Sequence, residues 1–108
     1  MFRKEIKVLD CTIRDGGLIN KWDFSDSFIK AVFKALNESG IDIMEIGYKA
    51  SKSIINPDGM GKWRFCDEKD IKPIIGETNM KISAMVDIGR VDDKDLLPKK
   101  DSVLDIIR

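Results

Sequence analysis

Leu9-Asp10-Cys11-Thr12-Ile13-Arg14-Asp15-Gly16-Gly17 runs from apolar and β-branched residues into a charged pair and two glycines. Residues 6–13 read as a strand. Alternation puts Leu9, Cys11 and Ile13 on one face and Asp10, Thr12 and Arg14 on the other. The stop at Asp15-Gly16-Gly17 reads as a sharp turn that leaves space for a ligand. Arg14 then stands at the C-terminal end of the strand, where its fork of donors suits an enolate or carboxylate oxygen. Asp15 offers hard oxygen ligands for Mg²⁺ or Mn²⁺. By chemistry alone, the same pair is more often a salt-bridged turn. Cys11, on the helix-facing side, is expected to be inert.

Working outward, Ser25 or Asp26 can cap a helix whose apolar stripe is Phe28, Ile29, Val32, Phe33 and Leu36. Gly40 is a left-handed stop. Residues 41–48 form a second strand, with Met44 and Ile46 facing away from Ile43, Glu45 and Gly47. A long loop over 49–66 carries Asn56-Pro57-Asp58-Gly59; such segments are often functional. A short helix is expected over 67–75, a third strand over 81–88, a helical turn over 92–97 broken by Pro98, and a fourth strand over 102–108.

The order β-α-β-α-β-α-β predicts an α/β fold with a parallel sheet and right-handed crossovers. Polar groups collect near the strands' C-terminal ends: Arg14, Glu45, Asp87 and Arg108. Chemistry gathers at that edge in parallel α/β folds. Four buried ionisable groups there would be costly unless paired or bound to a metal. Asp87 and Arg108 either pair with each other or join the site. Glu45 is either a lysine's buried partner or a site residue, and Asn20 either a turn residue or a substrate contact. Trp22, Trp63 and Phe65 either shape a binding loop or, as aromatics near a helix edge more often do, pack. Four strands are about half of a (β/α)₈ barrel, which takes about 250 residues. Residues 1–108 are therefore expected to be one partial domain, the N-terminal half-barrel, with the remainder beyond Arg108. A half-barrel alone leaves open sheet edges, which a homo-oligomer would cover.

The 19 basic and 19 acidic residues cancel. That balance gives no reason to expect nucleic acid or an anionic membrane as partner. No apolar run approaches a membrane span, and the charged N-terminus lacks a signal peptide's apolar stretch. Cys11 and Cys66 are expected to be free thiols in a reducing cytoplasm. With no histidine in the chain, a zinc site of the usual ligands and any Ser-His-Asp or Cys-His mechanism within it are excluded.

The wording Asp10-Cys11-Thr12-Ile13-Arg14-Asp15-Gly16 resembles the signature of the HMG-CoA-lyase-like superfamily, which includes 4-hydroxy-2-oxovalerate aldolase, HMG-CoA lyase, isopropylmalate synthase and homocitrate synthase. The likeness continues through Gly40-Ile41-Asp42-Ile43-Met44-Glu45-Ile46-Gly47 and into the third and fourth strands. It implies a TIM barrel that makes or breaks a C–C bond beside the carbonyl of a 2-oxo acid, using a divalent metal, Mg²⁺ or Mn²⁺ before Zn²⁺. By this resemblance Arg14 stabilises the enolate oxygen, Asp15 binds the metal, and Glu45 supports Arg14 or a metal-bound water; Arg14, Asn20 and Arg108 are the candidate substrate contacts, Asn20 and Arg108 beside their turn and pairing alternatives. Two departures stand out. The family's late His-x-His pair is absent, so this chain alone should hold metal weakly or not at all. Gly17, Leu18, Ile19 and Asn20 also stand where the aldolase branch carries a histidine base. The competing expectation is a non-catalytic half-barrel that binds a ligand or assembles with a second copy.

Overall fold

Asp10 ends the first strand abruptly. In the computed structural model, which describes residues 2–108, β1 is only Leu9–Asp10. The Asp10 carboxylate accepts from the backbone N of Thr12 at 3.0 Å and from its hydroxyl at 2.8 Å. This side-chain bond offers the backbone an alternative to the ladder. The chain turns into a helix, α1 (Thr12–Asn20), with Cys11 as its N-cap. The expectation of a strand reaching Ile13 and a turn at Asp15-Gly16-Gly17 is thus corrected: Arg14, Asp15 and both glycines are helical.

Gly17 sits inside α1 because the chain doubles back just beyond the helix. Lys21 and Trp22 both adopt left-handed backbone, at φ 58° and 60°, folding the indole back onto the helix. A Cβ on Gly17 would lie 1.9 Å from the Trp22 ring. Alanine in a helix ordinarily stabilises relative to glycine by about 1 kcal/mol. Here Gly17→Ala is expected to lower stability instead, by about 1–3 kcal/mol, because the ring must leave its seat. A denaturant melt reads the sign, and a more stable variant would contradict this packing.

The next helix conforms closely to the sequence pattern. Ser25 caps α2 (Asp26–Glu38), its hydroxyl accepting from Phe28 N at 3.2 Å. Ile29 and Phe33 are buried, Val32 and Leu36 pack beside them, and Gly40 takes φ 75° as the left-handed stop. Phe28 is the exception in the stripe: it is nearly half exposed and stacks on Phe24.

The remaining strands are β2 (Ile43–Tyr48), β3 (Lys81–Met85) and β4 (Ile106–Ile107). The ladder continues past β4, since Arg108 N donates to Ala84 O at 3.1 Å and Val86 N to Arg108 O at 2.8 Å. All pairs are parallel and the spatial order is β1-β2-β3-β4. Strands laid down in chain order, each beside the last, are the arrangement of one half of a (β/α)₈ barrel, unlike the reversed order of a doubly wound sheet. The fold is α/β with a half-barrel sheet. Between β2 and β3 lie a 3₁₀ turn (Lys62–Arg64) and a short helix, α3 (Glu68–Ile71). Between β3 and β4 lie two 3₁₀ turns, Asp93–Asp95 and Lys99–Asp101. The helix read over 67–75 shrinks to four residues, and Ile88, placed on a strand by its spacing, is fully exposed.

Met44, Ile46, Ile82 and Ala84 join Ile29, Phe33 and Trp63 in one buried cluster. The opposite face of the sheet carries the row Glu45, Ser83 and Ile106, in register across three strands. A register shift between Glu45 and Gly47 bends β2 at its C-terminal end, a place where bulges often re-aim a side chain.

Candidate active site

Glu45 is fully buried, yet all its lone-pair directions are taken. Oε1 accepts from Arg14 Nε at 2.8 Å and from Arg108 Nη2 at 2.8 Å. Oε2 accepts from Arg108 Nε at 2.9 Å and from the Ser83 hydroxyl at 3.2 Å. Four donors saturate a carboxylate. Burial pushes the Glu45 pKa up, but the bonds from Arg108 and Arg14, the Arg108 charge and the Ser83 hydroxyl outweigh it and hold the carboxyl below the ordinary range. Glu45 is a fixed anion that orients two guanidinium groups. Its partners are two arginines and no lysine.

Arg14 projects from α1 across the end of β2. Its Nη1 donates to Asp15 Oδ1 at 2.5 Å. Burial works against the Arg14 charge, but Glu45 and Asp15 more than compensate, and its pKa is raised. Nη2 of Arg14 and Nη1 of Arg108 make no hydrogen bond among the described residues. These two spare donors are what the cluster can offer a ligand oxygen. The Arg108 side chain is about half exposed, so its fork is reachable.

Asp15 is also half exposed. Its Oδ2 accepts from the Cys11 thiol at 3.3 Å. Burial and the Asp15 carboxylate raise the Cys11 pKa, so the thiol stays protonated and donates. Cys11, read as an inert helix-facing residue, therefore lies against Asp15. As a metal ligand Asp15 has the right chemistry, a hard oxygen open to solvent. Among the described residues, however, no group of three or more His, Cys, Asp or Glu side chains gathers that could hold an ion. Asp15 therefore stands without a closed set of such ligands around it among the described residues.

Asn20 closes the end of α1, its Oδ1 accepting from Trp22 N at 3.1 Å and its Nδ2 donating to Asp23 O at 3.3 Å. That is the turn role. Asp87 does not pair with Arg108; its nearest cation is Arg64 Nη2 at 3.6 Å. Arg108 is taken by Glu45 because Glu45 shares its face of the sheet. Trp63 and Phe65 are buried packing, as their aromatic character suggests. Sequence reading passed over Ser83, and it took Trp22 as packing without its bond to the helix that carries Arg14. Ser83 is a small polar residue flanked by Ile82 and Ala84 in the middle of its strand, which was its signal. Trp22 Nε1 donates to Arg14 O at 2.9 Å and steadies the helix that carries Arg14.

The fold and this cluster together define an α/β half-barrel with a guanidinium–carboxylate centre at the C-terminal rim. No protein-family model matches the chain, and no curated protein does. Among solved structures, it is similar to the N-terminal domain of a candidate aldolase from Bacteroides vulgatus, with a TM-score of 0.79 and 33% sequence identity. The match covers 95% of this chain and 34% of that one, so the chain spans about a third of that protein's length. No helix among the described residues is long and apolar enough to cross a membrane.

Proposed function

We propose that this chain supplies the first part of the active site of a metal-dependent carbon–carbon lyase or aldolase acting on 2-oxo acids through an enolate. The observation that carries the reading is Arg14, clamped by buried Glu45 and left with one unspent donor beside an open carboxylate. The aldolase-like neighbour supports it. When the C–C bond of an aldol breaks, a base takes the hydroxyl proton, the bond's electron pair becomes the C=C of an enolate, and the carbonyl π pair moves onto the 2-oxo oxygen. A fixed cation aimed at that oxygen stabilises the developing charge without reorganising. Arg14 takes this role, Glu45 positions it, and Arg108 contacts the substrate.

Asp15 would give a divalent ion, Mg²⁺ or Mn²⁺, one oxygen ligand, the others coming from outside the described residues. When bound, such an ion polarises the 2-oxo acid carbonyl. The two free cysteines suit a reducing cytoplasm. The test uses the intact protein, 2-oxo acid aldols, and Mn²⁺ or a chelator. Pyruvate release that requires metal is expected; no release under either condition would end this reading.

One observation favours a second reading, a non-catalytic assembly module. β1 and β4 each pair on one side only among the described residues, and Ile107 on β4 is nearly half exposed. A second copy could cover those edges. Native mass measurement of the intact protein, together with the pyruvate assay, separates an inactive oligomer from an enzyme.

A further inference from the structure

Arg64 lies on the same rim as the Glu45 cluster but takes no part in it. It belongs to the 3₁₀ turn within the long loop over 49–66, and only 4% of its surface is exposed. That turn crosses close over β2: a Cβ on Gly47 would lie 2.2 Å from the Trp63 carbonyl oxygen, so only glycine admits it. The Arg64 guanidinium lies over the Tyr48 ring, 4.4 Å from its centroid, and 5.4 Å from that of Trp22. The two rings meet edge to face. Tyr48 ends β2, Asp87 comes just after β3, and Trp22 reaches back to the Arg14 backbone. Arg64 is therefore one indole ring away from the α1 backbone that carries Arg14.

Its side chain makes no hydrogen bond among the described residues. Among the described residues the only carboxylate within salt-bridge range of it is Asp87, at 3.6 Å, which is itself partly exposed. Arg90 stands close enough to repel it. No fully buried side-chain nitrogen or oxygen lacks a partner among the described residues. The unbonded nitrogens of Arg64 thus keep a narrow contact with solvent, although the side chain is only 5% exposed. A buried guanidinium normally fills its donors. This one is held over the Tyr48 ring with the perpendicular Trp22 ring beside it, and its nitrogens carry no hydrogen bond, only the 3.6 Å approach of Asp87; a fork held in this way can grip an oxyanion.

We infer that Arg64, framed by Tyr48 and Trp22, is a recognition site for a terminal oxyanion, carboxylate or phosphate, at the far end of the substrate. The assignment rests on the aldolase reading for what the rest of that substrate is. Arg14 works on the reacting end, and Arg64 selects acidic acceptors over neutral ones.

The test compares kcat/KM of the intact protein for three 2-oxo acid aldols of matched length, ending in a carboxylate, a phosphate or a neutral group. One acidic aldol is expected to exceed the neutral one by about tenfold or more, and the better of the two identifies the oxyanion. Arg64→Lys, which keeps the charge but loses the fork, and Arg64→Gln should both bring that ratio toward one. In parallel, succinate and inorganic phosphate are titrated calorimetrically into the resting protein. Binding by the wild type that weakens by about tenfold or more in Arg64→Lys supports the site even where no aldol is cleaved, in which case the aldolase reading alone fails. Equal turnover of acidic and neutral aldols, or anion binding unchanged in Arg64→Lys, overturns the inference and leaves the aldolase reading standing. If both variants unfold by circular dichroism, the wild-type ratio decides, and a value near one makes Arg64 a structural strut only.

Discussion

Glu45→Ala is expected to cost about 3–5 kcal/mol of stability, the range seen when one partner of a buried ion pair is removed. The reason is what it leaves behind. Arg14 and Arg108 converge on one buried carboxylate; without it, two like charges face each other across the sheet and the Ser83 hydroxyl loses its acceptor. Glu45→Gln keeps the shape and some acceptor capacity, so its loss should be smaller but clear. Urea melts at neutral pH measure both. Acid provides an independent check on the same group. Because the folded pKa of Glu45 lies below the ordinary value of 4.5, its contribution is complete above that value and is lost as pH falls through the folded pKa. The gap in stability between wild type and Glu45→Gln should therefore close in acid. A gap that stays constant down to strongly acidic pH would mean that Glu45 is not the anion described above.

Much of the fold was legible in local pattern. The stripe from Ile29 to Leu36, the Ser25 cap and the Gly40 stop all appear where spacing and cap chemistry place them. So does the parallel order of four strands. The first motif misleads because two local rules point the same way. β-branched residues suggest a strand, and paired glycines, poor helix formers, suggest a turn. The Asp10 side chain and the Trp22 ring outweigh both, one by bonding the helix start and the other by filling the space above Gly17. The Asp10 bond is a local Asx-type contact that the strand pattern masks, whereas the fold-back of Trp22 onto Gly17 has no such signature. The pairing of Arg108 is hidden for another reason: Glu45 is 63 positions away, and only strand order brings the two together. Arg64 gives the weakest hint, a cation in a loop, and its ring neighbours come from α1's end and from β2.

Arg14→Ala should reduce turnover by about 10²–10³-fold if Arg14 carries the developing enolate charge. Its own stability cost must be separated from that loss. Arg14 donates one bond to Glu45, whereas Arg108 donates two and Ser83 a third. With Arg14 gone, Glu45 keeps three of its four donors, so the fold should survive where Glu45→Ala strains it. Arg14→Lys sharpens the test. An ammonium can restore the charge near Glu45, yet it cannot donate in one plane to Glu45 and to a substrate oxygen as the guanidinium can. A purely structural Arg14 would be largely rescued by lysine, with activity tracking the fraction folded. An oxyanion-stabilising Arg14 would show a folded, stable lysine variant whose kcat stays depressed by at least about tenfold. The decisive comparison is thus between melting and turnover of the same two variants. If Arg14→Ala folds and turns over like wild type, the enolate charge is carried elsewhere and the rim cluster is only a structural clasp.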